Sequence, residues 1–453
     1  MAGSSPLTQL PTHERRLDNG LLVLVREDHR APVVAIVTYV RAGYFDEPDR
    51  LTGISHVLEH MYFKGTERRD AGDIARETKA AGGYLNAATI YDHTSYYTVL
   101  PSSAFEQGID IQSDALLHSA IDDDALQREL AVIIQEAKRK LDNAAAVSQE
   151  ALFEAMFDVH RIRRWRVGTE QVLRSLTRDD VWSYYRDLYR ACNVTLVIAG
   201  DVAPERAFAL ADLHYGSMPS GEPLRDSPPA EPARSGFRFR EIAGDIVHSH
   251  AEWGWRTPDQ LHEDTAALDL LAIVLGRGRA SRLFRAVRDR GLANSISTYN
   301  YTPVSIGVFG VSAELNPPET RDALSAIARA LEAVRNEAVR PAELERAKNI
   351  LEASLVRRLE TVEDQANLIA EWQALGDWRL AGHYLERALA TDLAALRRVA
   401  ERYLAPELAT VLVYRPESAA AIDRTPESLA AELFDGRRRV AARPARPPAV
   451  DGV

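Results

Sequence analysis

The sequence has almost no cysteine, no long apolar run and fewer basic than acidic residues. Its 453 residues include a single cysteine, Cys192, so no disulfide can form within the chain. No run of about eighteen apolar residues occurs, and a transmembrane helix is therefore not expected. Lysine and arginine number 55 against 66 acidic residues, giving a net charge of −11. This balance argues against nucleic acid as the main partner.

The first residues, MAGSSP, also lack the apolar core of a signal peptide. The expected location is therefore the cytoplasm, or the periplasm if a signal peptide has been removed from the start of the chain. The low use of cysteine is compatible with both compartments.

The order of predicted elements indicates two similar α/β domains. A helix that begins with a threonine, followed by a break and a strand, occurs over 177–199 and again over 391–414. Such an internal repeat is typical of a duplication. We predict an N-terminal, metal-bearing domain over 1–218, a proline-rich linker over 219–236, a C-terminal domain without the metal over 237–436 and a disordered basic tail over 437–453.

One short segment, residues 54–61, combines metal-ligand side chains with an apolar face. His56 and His60 are four residues apart and project from the same face of a helix, with Glu59 on the same side. The pattern is H-x-x-E-H, the inverse of the common zinc-protease motif. The apolar positions lie on the opposite face, and they are Ile54, Val57, Leu58 and Met61.

Two histidines supply only part of a catalytic zinc site, which takes three protein ligands and a water molecule. The predicted helix over 122–141 offers Glu129 and Glu136, which are seven residues apart and share a face of an otherwise apolar stretch. Carboxylates in such surroundings need a partner or a metal. The spacing does not show which of these two glutamates binds a metal, and it is equally compatible with two glutamates on the surface.

Glu59 is suited to the role of general base. Zinc lowers the pKa of its bound water towards about 7, and a neighbouring carboxylate can take the proton and pass it to the leaving amine. Two other interpretations stay open on these residues alone. His56, Glu59 and His60 could form a solvated polar face, or they could bind a structural zinc ion, although such ions prefer cysteine and four protein ligands.

Ordered segments along nearly the whole chain resemble one known family. They are residues 17–21, Gly43, Glu47, Gly53, residues 56–66 and 82–89, Asp92, Thr94, Tyr96, and residues 168–169 and 197–201. The family is that of the insulinase or pitrilysin zinc metallopeptidases, the inverzincins, and the resemblance is to its short, processing-peptidase-like bacterial members. It implies an α+β fold of two homologous α/β-sandwich domains, each an antiparallel-rich sheet with helices packed on one side, forming half of a clamshell.

The resemblance also implies residue roles. Glu136, which lies 76 positions after His60, corresponds to the third ligand of one Zn²⁺ per chain. Glu129 corresponds to a glutamate that supports the site without binding the metal. Asn86 and Ala87 correspond to residues that hold the substrate as an added strand, through main-chain hydrogen bonds. Without the resemblance, an ordinary strand explains Asn86 and Ala87 as well.

The second half departs from the family at one place. Family members have an arginine and, seven residues later, a tyrosine, which help to hold the substrate carbonyl. The segment 287–295 resembles this region with Arg288 retained, but it is one residue short and has Asn294 in place of the tyrosine. In some pairs of the short subgroup, one chain carries zinc and the other carries the arginine and tyrosine. The departure indicates the zinc chain of such a pair, and a surface helix bearing Arg288 is the alternative.

The leading hypothesis is a zinc-dependent endopeptidase that hydrolyses peptides or unfolded polypeptides in an enclosed chamber, with Glu59 as general base. One alternative is a zinc-bearing subunit that is inactive without a zinc-less companion chain. Another is a peptide-binding scaffold that does not hydrolyse. The expected partners are peptide substrates and a second chain, either a copy of this one or a zinc-less homologue, without nucleic acid or a membrane span.

Overall fold

The computed structural model describes residues 11–222 and 227–434. The predicted tail over 437–453 and residues 223–226 of the predicted linker lie outside the described residues. The strands are β1 (Thr12–Arg16), β2 (Leu22–Glu27), β3 (Val33–Val40), β4 (Tyr84–Thr89), β5 (Thr94–Pro101), β6 (Val194–Gly200), β7 (Arg238–Gly244), β8 (Ser249–Thr257), β9 (Ser295–Tyr301), β10 (Gly307–Leu315) and β11 (Thr410–Pro416).

Helices connect these strands, and none of the described ones is long and apolar enough to cross a membrane. The helices are α1 (Ile54–Met61), α2 (Asp73–Ala80), α3 (Phe105–Leu117), α4 (Asp123–Leu141), α5 (Ala144–Met156), α6 (Glu170–Ser175), α7 (Arg178–Leu188), α8 (Pro204–Tyr215), α9 (Thr265–Gly276), α10 (Thr320–Asn336), α11 (Pro341–Arg357), α12 (Val362–Ala374), α13 (Leu380–Ala390), α14 (Leu393–Tyr403) and α15 (Pro426–Phe434).

The described residues form two compact units that are not contiguous in sequence. The first unit contains residues 11–139, 164–222, 227–229 and 352–386, and the second contains 140–163, 230–351 and 387–434. This division differs from the contiguous ranges 1–218 and 237–436 that the sequence predicts. The reason is that α5 packs on strands of the second unit, whereas α12 packs on strands of the first.

The first unit is built on a six-stranded sheet in the order β1-β2-β6-β3-β5-β4. Strands β2 and β6 are parallel, and the other neighbouring strands are antiparallel. Side chains alternate between the two faces, as the pleat requires. One face contributes to a core shared with α1, α3, α7 and α8, and the other packs against α12. Strand β4 lies at the edge of this sheet.

The second unit repeats this topology. Its sheet has the order β7-β11-β8-β10-β9, with only β7 and β11 parallel. This is the arrangement of the first sheet without β1, strand for strand in chain order. The repeat supports the duplication predicted from the sequence, and α9 stands at the place where α1 stands in the first unit.

The predicted fold class, α+β with two homologous sheet-and-helix domains, is confirmed. The packing is fuller than the one-sided packing that the sequence led us to expect, because one helix also covers the second face of each sheet. In the second unit, Trp253 and Trp255 of β8 point into the main core, whereas Glu252 and Gly254 face α5. A Cβ atom on Gly254 would lie 2.3 Å from the sulfur of Met156, so a larger residue there would displace this flexible side chain of α5.

Candidate metal centre

Helix α1 begins at a left-handed glycine that a buried carboxylate holds in place. Gly53 has φ 97°, and a Cβ atom there would lie 2.3 Å from the carbonyl oxygen of Val167. The backbone N–H groups of Gly53 and Ser55 donate to the carboxylate of Glu47 at 2.8 and 2.9 Å. Burial raises the pKa of Glu47 to about 7, despite these two hydrogen bonds. These contacts fix the start of α1 and therefore the direction in which its histidines project.

Two imidazoles and one carboxylate converge beside α1. His56 Nε2 lies 3.9 Å from Glu136 Oε1, and His60 Nε2 lies 3.7 Å from Glu136 Oε2. The ligand atoms of these three residues all lie within 4.8 Å of one another, and the two imidazole rings are almost perpendicular at 78°. Glu136 comes from α4, so the fold brings together two helices that the sequence separates by more than sixty residues.

This donor set fits a zinc ion. Two imidazole nitrogens and one carboxylate are the protein ligands of a common type of catalytic zinc site. The separations of 3.7 and 3.9 Å are too long for direct hydrogen bonds. They are close to the spacing of about 3.3 Å between tetrahedral ligands that each lie about 2.0 to 2.1 Å from a zinc ion. His56, His60 and Glu136 could therefore hold the metal.

Glu129 contacts the opposite side of the His60 ring. Its Oε2 lies 3.1 Å from His60 Nδ1, and its Oε1 accepts a hydrogen bond from Lys64 Nζ at 2.7 Å. Burial acts to raise the pKa of Glu129, but the hydrogen bonds with Lys64 and His60 outweigh it and lower the pKa. An ionised Glu129 favours the imidazole tautomer with the proton on Nδ1, which leaves the lone pair of Nε2 directed towards Glu136.

Glu59 lies on the same helix and is linked to the edge strand of the sheet. Its Oε2 accepts a hydrogen bond from the hydroxyl of Thr89, the last residue of β4, at 2.5 Å. Burial raises the pKa of Glu59 and the charge of Glu136 adds to this effect, although Thr89 and His60 oppose it. A carboxylate with a raised pKa is better matched to proton transfer near neutral pH than an ordinary glutamate.

The predicted substrate-binding residues of the first unit lie on β4. Asn86 is exposed and Ala87 is half-buried, and the backbone N–H of Ala87 donates to Asn86 Oδ1 at 2.9 Å. Because β4 is paired with β5 on one side and lies at the sheet edge, its outer backbone groups can pair with another extended chain. The Thr89 hydrogen bond places Glu59 at the end of this edge.

Arg288 belongs to the second unit, unlike the other predicted site residues. It is exposed and ends a π-helical turn, Phe284–Arg288. Its Nε donates to the backbone carbonyl of Asn294 at 3.1 Å, and the Asn294 amide donates to Glu314 Oε1 at 3.1 Å. These contacts lie within the second unit.

Sequence reasoning assigned no role to two residues that contact the site, Lys64 and Thr89. Lys64 lies four residues after His60, which is the spacing of neighbours on one helix face. Thr89 ends the strand that carries Asn86 and Ala87. The spacing offered a signal for Lys64, whereas the contact between Thr89 and Glu59 depends on how α1 packs against β4.

Two family models match adjoining parts of the chain. Insulinase (peptidase family M16) matches residues 22–170, and the peptidase M16 inactive domain matches residues 175–351. An uncharacterized zinc protease of Mycobacterium leprae is 30% identical over 353 residues, which cover 76% of this chain and 78% of that protein. The chain belongs to peptidase family M16, the insulinase family. The family predicted from the sequence is therefore confirmed.

Other relatives of this M16 chain agree. The zinc protease PqqE of Helicobacter pylori is 27% identical over 417 residues, covering 90% of this chain and 94% of that protein. Two crystal structures show the same fold. A protease from Helicobacter pylori has a TM-score of 0.86 at 24% identity and covers 90% of this chain and 100% of that one. A peptidase M16 inactive domain from Pseudomonas fluorescens has a TM-score of 0.82 at 16% identity, covering 91% and 99%.

Proposed function

We propose that this M16 chain is a zinc-dependent endopeptidase that hydrolyses peptides or unfolded polypeptides bound as an added strand along β4. The convergence of His56, His60 and Glu136 within 4.8 Å carries the proposal. Glu59 supplies a half-buried carboxylate on the same helix as the histidines, and Thr89 links it to the edge strand. The zinc-protease names of several M16 relatives agree with this donor set.

In this mechanism His56, His60 and Glu136 would hold the zinc ion. Zinc bound there would supply a Lewis acid that lowers the pKa of water towards about 7 and polarises the peptide carbonyl. Glu59 takes the proton from the attacking water and delivers it to the leaving amine nitrogen. The hydroxyl of Thr89 holds Oε2 of Glu59, so we assign the proton transfer to Oε1.

The edge strand determines the substrate class. Strand addition uses backbone hydrogen bonds, so it selects an extended peptide and requires little of its sequence. We assign Asn86 and Ala87 to this strand-binding edge and Arg288 to a contact with the substrate carbonyl. An extended peptide on β4 lies beside Thr89, the strand residue that contacts Glu59. Most backbone groups of a folded protein are already hydrogen-bonded, and enclosure of the site in a clamshell of two chains would exclude folded proteins further.

Glu59→Gln tests the mechanism, because it keeps the shape of the side chain and removes the base. We expect hydrolysis of a quenched fluorescent peptide to fall by about 10² to 10⁴-fold, with one zinc ion per chain retained. Glu67→Gln is the matched control, since Glu67 is exposed in the loop after α1. Removal of zinc with a chelator should abolish hydrolysis, and zinc should restore it. Full activity of Glu59→Gln would contradict the mechanism.

A second candidate is a zinc-bearing subunit that needs a zinc-less companion chain. The observation in its favour is Asn294, whose amide is bonded to Glu314 at the place where the family has a tyrosine. The purified chain is assayed alone and together with a zinc-less homologue from the same source. Strong hydrolysis by the chain alone, reduced by Arg288→Ala, favours a self-sufficient homodimer. Activity that appears only with the homologue favours the heterodimer. The location in the cytoplasm, or in the periplasm if a signal peptide has been removed, stays a prediction.

A further inference from the structure

Lys64 contacts one of the carboxylates beside the metal centre. Lys64 Nζ is 2.7 Å from Glu129 Oε1, and Glu129 Oε2 is 3.1 Å from His60 Nδ1. The Glu129 side chain is 12% exposed and that of Lys64 is 32% exposed. Each carboxylate oxygen of Glu129 therefore has one nitrogen donor, and the carboxylate bridges the lysine and the histidine.

We propose that Lys64 is a positioning residue for the metal centre. It holds Glu129 so that the second carboxylate oxygen accepts the Nδ1 proton of His60, and this leaves His60 Nε2 for zinc. The role rests on the zinc-dependent function proposed above. It differs from a catalytic role because Lys64 acts through Glu129 and not on the substrate or the metal.

The end of α1 places Lys64 in reach of Glu129. After the last residue of the helix, the chain continues in tighter turns. The backbone N–H of Phe63 donates to the carbonyl of His60 at 3.2 Å, and that of Lys64 donates to the carbonyl of Met61 at 3.0 Å. This continuation puts Lys64 one turn beyond His60, and both side chains reach the same carboxylate on α4.

Glu129 needs a cation to keep this orientation. Its carboxylate is largely removed from water, and a buried ionised oxygen without a donor is costly. Without Lys64, Glu129 would rotate to pair Oε1 with another donor. That rotation removes the acceptor that fixes the tautomer of His60, because a neutral imidazole can carry its proton on either nitrogen.

A simple charge effect predicts the opposite result, which makes the inference testable. If Lys64 acted only as a nearby positive charge, its removal would strengthen the binding of Zn²⁺ by Coulomb's law. If Lys64 positions Glu129, its removal weakens zinc binding. Loss of a group that orients a metal-bound histidine typically lowers metal affinity by about 10 to 100-fold.

The experiment measures the zinc affinity of the full metal-free chain by competition with a chromophoric chelator. We expect Lys64→Met to bind zinc at least about tenfold more weakly than the wild type, and Lys64→Arg to recover most of this loss because it keeps a donor for Glu129. Lys79→Met is the matched control, since Lys79 is an exposed residue of α2. Its zinc affinity should equal that of the wild type.

A double-mutant cycle tests the route through Glu129. Glu129→Gln alone should weaken zinc binding, and adding Lys64→Met should change the affinity by less than about twofold, because the two residues act in series. Circular dichroism of the metal-free variants checks folding, and Lys64→Ala, which also lacks a donor for Glu129, replaces Lys64→Met if the latter does not fold.

Two results would overturn the role of Lys64 while leaving the proposed function intact. The first is zinc binding by Lys64→Met that equals or exceeds that of the wild type. The second is a full further loss of affinity when Lys64→Met is added to Glu129→Gln. A wild-type chain that binds no zinc would overturn the proposed function itself.

Discussion

The hydroxyl of Thr89 should contribute to catalysis although Thr89 is neither the base nor a metal ligand. Thr89→Val replaces this hydroxyl by a methyl group of similar size and removes the 2.5 Å hydrogen bond to Glu59 Oε2. Thr94 cannot substitute, because its hydroxyl donates to the carbonyl of Ala42 at 2.9 Å and lies 3.3 Å from the Thr89 oxygen. The variant therefore leaves Glu59 in place but without this donor.

The size of the effect follows from the charge on the acceptor. A hydrogen bond to a charged group contributes about 1.5 to 3 kcal/mol. If this bond orients Glu59 for proton transfer, its loss lowers kcat by about 10 to 100-fold. The direction of the pH effect also follows, because Thr89 lowers the pKa of Glu59 against the effect of burial. Without the Thr89 hydroxyl the pKa of Glu59 rises further, and the acidic limb of the rate profile moves to higher pH.

The assay is hydrolysis of a quenched peptide between about pH 5 and 9, with the zinc content of each sample measured. Thr89→Ser is the matched variant, since it keeps the hydroxyl and loses only a methyl group. We expect Thr89→Ser to stay within a few-fold of the wild type and Thr89→Val to show both the lower kcat and the shifted limb. A Thr89→Val enzyme with normal zinc content, normal kcat and an unmoved acidic limb would refute the role of this hydrogen bond.

Two further predictions concern Glu252 and Ala87. Glu252 is buried with its Oε1 bonded by the hydroxyls of Ser148 and Ser312, and burial raises its pKa from 4.5 to about 8. The stabilising contribution of this group is therefore fully present below about pH 4.5 and is lost as pH rises towards 8. Near pH 8, the free energy of unfolding of Glu252→Gln should exceed that of the wild type by about 4 kcal/mol. Melting temperatures between pH 5 and 8.5 check this, and a gain that is equal at every pH would contradict it. Ala87→Pro removes the β4 N–H that donates to Asn86 and that we assign to pairing with the substrate strand, so the loss of one hydrogen bond should raise KM by about tenfold with zinc content unchanged. An unchanged KM would argue against strand addition at this edge.

Local patterns were sufficient for several elements of both units. The helix over 54–61 and the repeated helix–strand units over 177–199 and 391–414 agree with the structure, because helical periodicity reports which face is buried. Helices α12 and α13 show the limit of such local patterns. The apolar side chains of α12 have helical spacing, with Ala366, Ile369 and Ala370 on one face. The sheet that this face covers lies over 150 residues earlier in the chain, and no local pattern reports such a pairing.

The sequence by itself determined which side chains α1 presents together on one face. Helical periodicity places His56, Glu59 and His60 on one face and the apolar residues on the other, and this holds wherever the helix packs. The same periodicity places Glu129 and Glu136 on one face of α4 and could not separate them.

The family resemblance assigned different roles to the two glutamates, but only the tertiary structure gives the physical reason for the difference. Seven residues correspond to about 10 Å along a helix, so the two carboxylates reach opposite sides of the same imidazole. Glu136 faces Nε2 of both histidines at 3.7 and 3.9 Å, whereas Glu129 faces His60 Nδ1 and Lys64. The difference depends on where α4 crosses α1, which is set by packing between distant segments and not by the spacing within either one.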